Sequence, residues 1–217
     1  MRVQIKPKDL AWCGVVAPLL FTFMTILGGA LRPGYSHISD TVSELMSPGS
    51  PNRLLLSFIF SVYALLMVCF GAGLLRFVRS SAQPARSAVL GACLFILAGV
   101  INVTIATVFP QDPWGTPLTF PGLMHFILSG VIGLLQLIAV GLLGLWLRRT
   151  GLSPALGAYS MINAGALLLS IGLFLKMTDT LMIGLAERIL VLVGLVWTFV
   201  MGWWMVKMGD EAQPMGV

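Results

Sequence analysis

The stretch GLMHFILSGVIGLLQLIAVGLLGLWL, Gly122 to Leu147, contains no Asp, Glu, Lys or Arg and is followed at once by Arg148 and Arg149. A hydrocarbon core of about 30 Å is crossed by about 20 apolar residues in a helix. This run exceeds that length. Five further runs read the same way: Leu10 to Leu31, Leu54 to Leu75, Ser87 to Phe109, Pro154 to Leu175 and Leu181 to Val206. Together they predict an all-α polytopic membrane protein, with six transmembrane helices in one bundle and a single domain over residues 1–217.

Composition agrees, because 58% hydrophobic and 10% charged residues stand against roughly 45 to 50% and about 25% in soluble domains. The net charge of +5 does not point to nucleic acid, since the basic residues flank the apolar runs. Arg2, Lys6, Lys8, Arg76, Arg79, Arg86, Arg148, Arg149 and Lys207 fall on one side, and Arg32, Arg53, Lys176 and Arg188 on the other, which accounts for all 13. The excess of basic residues on cytoplasmic loops then predicts a multi-pass protein of the plasma membrane with both termini cytoplasmic. Trp12, Trp146, Trp203 and Trp204 fall at the cytoplasmic ends of spans, where indole rings favour the interface. The first apolar run is longer than a signal-peptide core of roughly 7 to 15 residues, which predicts a retained signal anchor.

Cys13, Cys69 and Cys93 lie inside spans without paired spacing, so they read as small packing residues, with no disulfide framework or zinc site. Gly130, Gly133, Gly141 and Gly144 read as points of close helix approach. His125, Ser129 and Gln136 share one face of the fourth helix, and Ser160, Asn163 and Ser170 form a similar stripe on the fifth. Such stripes either bind helix to helix or line a polar groove descending from the outer mouth.

The first outer loop is the richest segment. Thr41 followed three residues later by Glu44 has the form of a capping box, and Ser47-Pro48-Gly49 stops what it starts. Ile38, Val42, Leu45 and Met46 recur at helical spacing, while Asp40, Ser43 and Glu44 share the other face. This predicts a short amphipathic helix in the first extracytoplasmic loop, lying over the outer end of the bundle. Its two carboxylates repel and call for a cation, which Arg32, Arg53 or a histidine could supply.

With its Pro33-Gly34-Tyr35 and Ile38-Ser39-x-x-x-Ser43-Glu44-Leu45 pattern after a first span, the segment from Arg32 to Pro51 resembles the bacterial membrane family catalogued as domain of unknown function 998 (DUF998). Phe109-Pro110-Gln111-Asp112 and His125 fit the same pattern. Ile38-Ser39-Asp40 gives a looser likeness to Frag1/DRAM-type six-span proteins. The resemblance implies the fold, the bacterial inner (plasma) membrane and the position of a polar site, and names no reaction.

Glu187 and Arg188 are the most unusual pair in the apolar sequence. If Asp179 or Thr180 caps the sixth helix, they lie roughly 10 Å inward at about 1.5 Å per residue. A charge at that depth must pair, face a cavity or snorkel, which makes it a functional candidate. The candidate ligand-binding residues are therefore Arg32, Tyr35, His37, Asp40, Ser43, Glu44, Asp112, His125, Ser129, Glu187 and Arg188.

Catalysis finds little support. His37, Asp40, Glu44, Asp112, His125 and Glu187 offer donors of the kind a metal hydrolase uses, but the chain lacks His-x-x-x-His and His-Glu-x-x-His spacing. Ser39 or Ser43 with His125 and Asp40 or Asp112 lacks a nucleophile elbow. Only His125 lies in a span, so a transverse haem has one ligand too few. No metal site and no cofactor are expected, and whether the chain is an enzyme stays open. The leading expectation is a protein that binds or handles a membrane lipid or small amphiphile at an outward-facing polar pocket. The alternative is a noncatalytic accessory or assembly subunit of a larger membrane complex, and a small transporter comes third. Expected partners are membrane lipids or other membrane-protein subunits, with nucleic acid excluded.

Overall fold

The computed structural model describes residues 6–211, so Arg2 of the charge pattern lies outside it. Six helices alternate in direction: α1 Pro7–Leu31, α2 Arg53–Ser80, α3 Arg86–Thr107, α4 Phe120–Arg149, α5 Pro154–Met177 and α6 Ile183–Glu211. All six are long and apolar enough to cross a membrane, and the described residues contain no strand.

Local chemistry fixes where several helices begin. The Lys6 amide donates to Asp9 Oδ2 at 2.9 Å ahead of α1, whose first residue is Pro7. Thr119 Oγ1 accepts from the Gly122 amide at 3.3 Å and Ser153 Oγ from the Leu156 amide at 3.4 Å, each with a proline in the first turn. These side chains satisfy amides that the first turn leaves without partners, and proline has none to lose there.

Each helix packs on its neighbours in sequence, and α6 returns to α1, so the bundle is a closed ring. Small residues set the closest crossings. A Cβ at Gly144 would lie 2.6 Å from Ser160 Cβ, and one at Gly157 2.8 Å from the Gly144 carbonyl, so α4 and α5 all but touch near the chain-terminal end. Of the four α4 glycines read from sequence as close-approach points, Gly144 alone acts as one. Gly130 and Gly141 face open space, and Gly133 meets Ile171 at an ordinary 3.8 Å. The two helices therefore part towards the end carrying the first loop.

A layer of large side chains fills the ring on its terminal side. Phe70, Phe95 and Trp197 are buried, with ring centroids 5.5 Å apart for Phe70 and Phe95 and 5.8 Å for Phe95 and Trp197. Trp197 Nε1–H donates to Ser160 Oγ at 2.9 Å, and the Asn163 amide donates to the Val193 carbonyl at 2.9 Å, so the α5 stripe binds helix to helix. Ser170 instead donates back to Ala166 within its own helix.

Two further expectations change. Trp146 is not an interfacial anchor but a core residue, packed edge-on against Phe77 and donating to the Gln83 carbonyl at 2.9 Å, which ties down the α2–α3 turn. Cys69 and Cys93 are exposed on the outside of the bundle and are not core packing, while Cys13 is half-buried; all three are free.

Candidate functional site

The predicted amphipathic helix in the first loop is instead a four-residue 3-10 turn, Ser43–Met46. Its capping box does form: Glu44 Oε2 accepts from the Thr41 amide at 2.9 Å, and Thr41 Oγ1 from the Glu44 amide at 3.3 Å. The box starts a turn that Ser47 ends at once, its hydroxyl donating to the Glu44 carbonyl at 2.9 Å. Val42, Leu45 and Met46 plug into the ring as the apolar pattern requires, but Ile38 stays exposed.

Neighbouring residues of α6 hold this loop in place. Glu187 accepts hydrogen bonds from the Val42 amide and, at 3.3 Å, from Ser43 Oγ. Arg188 Nη1 donates to the Asp40 carbonyl at 2.8 Å, and Nη2 donates to the Tyr35 hydroxyl. The Tyr35 hydroxyl in turn donates to the Thr41 carbonyl at 2.8 Å, and the guanidinium lies 5.5 Å from the Tyr35 ring centre. The Leu185 amide, one of the unpartnered donors of the first turn of α6, finds the Ile38 carbonyl at 2.9 Å. From the loop's other side, Arg32 Nη1 donates to the Glu44 carbonyl at 2.9 Å.

The sequence led us to expect cations facing the carboxylates of Asp40 and Glu44. The guanidinium groups take main-chain carbonyls of those residues instead, because the carboxylates are already occupied locally. Asp40 accepts from the Ser36 amide at 2.9 Å and Ser39 Oγ at 3.0 Å, while Glu44 closes its capping box. Burial raises the Glu44 carboxyl above its ordinary value, with the Thr41 amide pulling the other way. Burial pushes the Tyr35 phenol up to about 12 despite Arg188 beside it. Desolvation lowers the exposed His37, whose ring stands edge-on to Tyr35 at 5.2 Å.

The α6 pair also sits shallower than its expected depth. The hydroxyl of Thr180 accepts from the Met182 amide at 3.2 Å, forming a turn, and α6 begins only at Ile183. Glu187 is then about 6 Å into the helix at about 1.5 Å per residue. At that level it meets the loop instead of Lys176 or Asp179.

Beneath the loop lies a cavity of about 460 Å³. Phe21, Phe60 and Tyr63 form part of an aromatic wall, with centroids 5.0 Å apart for Phe21 and Tyr63 and 5.3 Å for Phe60 and Tyr63. Asn102 and the α4 stripe of His125, Ser129 and Gln136 bring polar groups to the lining, with Gln111 and Glu187 at the loop end. His125 Nδ1 is 2.9 Å from the Phe109 carbonyl, an acceptor, so in the neutral ring Nδ1 carries the proton and Nε2 keeps a free lone pair. Gln111 is buried and joins cavity to loop, its Oε1 accepting from Thr41 Oγ1 at 3.3 Å. Among the lining residues, Phe126, Ser129 and Gly130 of α4 and Leu175 of α5 are the exposed ones. The mouth therefore opens sideways between α4 and α5, roughly 9 to 15 Å down α4 by its rise.

The sequence candidates thus divide. Ser43, His125, Ser129 and Glu187 line the cavity; Arg32, Tyr35, Asp40, Glu44 and Arg188 fasten the loop above it. His37 packs outside against Tyr35 and Gly29. Asp112 serves neither group, because it accepts from the Thr119 amide at 2.7 Å and Thr119 Oγ1 at 2.9 Å and so staples the start of α4. Missing from the candidates are Thr41, Asn102, Gln111 and Gln136. A Gln beside the proline that ends an apolar run was a usable signal, whereas Asn102 donates to the Ala98 carbonyl at 3.2 Å and reads as self-satisfied. No group of three or more His, Cys, Asp or Glu side chains among the described residues could hold a metal ion.

No curated protein and no solved structure matches this chain. A family model does, over residues 15–204, described as protein of unknown function (DUF998). That match reaches into all six helices and takes in the first loop and all of the cavity lining, and the chain belongs to the DUF998 family.

Proposed function

We propose that this protein binds or handles a lipid or small amphiphile in the cavity between α4 and α5. It does so in the bacterial inner (plasma) membrane, with both termini cytoplasmic and the cavity at the depth of the outer leaflet. The observation that carries this reading is the sideways mouth. A pocket that opens between two membrane-crossing helices, apolar on one wall and polar on the other, suits a molecule that arrives through the acyl layer. Its volume of about 460 Å³ falls within the roughly 300 to 1,000 Å³ of small-molecule sites. The asymmetric flanking charge supports the orientation.

Photolabelling with an alkyl diazirine amphiphile, followed by peptide mapping, tests the proposal. Labels are expected on Met67, Ile171 or Phe174 inside the pocket. Gly130→Phe has open space for its side chain and stands at the mouth, so it should abolish that labelling without lowering the unfolding temperature. Labelling confined to the outer helix faces, or unaffected by Gly130→Phe, would refute the reading.

One observation favours the accessory-subunit alternative: Gly141, Gly165 and Gly172 face open space on α4 and α5, where a neighbouring helix could approach closely. Cysteine crosslinking from Gly165→Cys to another membrane protein would support it.

A further inference from the structure

The charge lining the cavity narrows the occupant further. Among the described lining residues there is no Lys and no Arg, and Glu187 is the sole carboxylate. The guanidinium closest in sequence is turned away: Arg188 spends Nη1 on the Asp40 and Gly184 carbonyls and Nη2 on the Tyr35 hydroxyl. Arg32 is likewise held by the Glu44 carbonyl. Phosphate and carboxylate heads are recognised by charge-assisted donors, above all arginine and lysine. Buried here with no cation to pair with, such a head would lose its hydration without compensation.

Acceptors, by contrast, are plentiful. In its neutral form the His125 ring offers Nε2, Gln136 offers Oε1 beside Gly194, and Asn102 donates one amide hydrogen to Ala98 and keeps its oxygen. Glu187 adds its carboxylate oxygens. A head that donates hydrogen bonds is satisfied at several of these points; the hydroxyls of Tyr63 and Ser129 and the amides of Gln111 and Gln136 are neutral donors, so what the lining lacks is a cationic one.

We infer that the cavity selects amphiphiles whose head donates hydrogen bonds and carries no negative charge, such as a long-chain alcohol, an acylglycerol or an alkylamine, and discriminates against phosphate and carboxylate heads. This rests on the binding role proposed above.

The test is displacement of radiolabelled dodecanol from the purified full-length protein in nanodiscs by dodecanol, dodecylamine or dodecyl phosphate, which share one tail. Dodecyl phosphate should compete at least about tenfold more weakly than the other two, a gap of about 1.4 kcal/mol. Ser129→Lys places a cation at the mouth, at an exposed position, and should raise dodecyl phosphate binding towards that of the alcohol. Equal or tighter binding of dodecyl phosphate to the unmodified protein overturns the inference but leaves the cavity as a binding site. So does Ser129→Lys that still binds dodecanol but gains nothing for the phosphate. Failure of all three amphiphiles to compete, with no loss of label in Gly130→Phe, overturns the binding role itself.

Discussion

Gly184 of α6 lies directly against the main chain of Asp40: a Cβ at position 184 would sit 2.3 Å from the Asp40 carbonyl oxygen and 2.9 Å from Arg188 Nη1. That closeness lets Arg188 bridge two carbonyls, and it makes the first loop part of the bundle.

Gly184→Ala should therefore push the loop off α6 even though alanine is the better helix former. Overpacking of this kind costs about 1 to 3 kcal/mol, and the loss should show as a lower unfolding temperature and faster proteolysis between Tyr35 and Ser50. Gly165→Ala is the control. Nothing lies within 4 Å of its Cβ position, so it should be neutral or slightly stabilising.

Ser160→Ala should destabilise more than Asn102→Ala. Removing the Ser160 hydroxyl leaves the Trp197 indole N–H buried without an acceptor, at a cost of about 1 to 3 kcal/mol, whereas Asn102 donates only within its own helix. Unfolding of both variants in the same detergent would rank them.

Glu44 gives a pH dependence whose sign is fixed by burial. Its carboxyl is raised in the folded protein, so its contribution to stability is fully present below the ordinary glutamate value of about 4.3 and is lost as pH rises through the folded value. Glu44→Gln removes that titration and keeps an acceptor for the Thr41 amide. Its stability relative to the unmodified protein should be higher at pH 7 than at pH 4, and a constant difference across that range would contradict the assignment.

Orientation can be read with an impermeant thiol reagent in a background lacking Cys13, Cys69 and Cys93. Ser36→Cys, in the first loop, should label from outside intact cells, and Ser81→Cys, in the α2–α3 turn, only after lysis. The reverse pattern would turn the bundle over.

The spans were legible because membrane crossing imposes a length and composition that no other constraint imitates, and the His125, Ser129, Gln136 stripe was legible because a single helix fixes its phase. The loop was harder. Its helical apolar pattern was real, but Val42, Leu45 and Met46 can be buried from a single tight turn, and the pull of Glu187 and Arg188 on the chain decides that geometry. Asp112 misled for a similar reason: a carboxylate just before a helix caps it as naturally as it binds a ligand. The parting of α4 and α5 depends on which glycine meets a partner, and four glycines along one helix look alike until the facing residues are known.

The aromatic layer of Phe70, Phe95 and Trp197 closes the ring on the terminal side of the cavity. If, as proposed, an amphiphile enters between α4 and α5, the closed terminal side returns it to that mouth, so access and release share one bottleneck. A change at the mouth should then slow arrival and departure together, and residence time becomes a property of the α4–α5 gap, separable from the affinity that the lining sets.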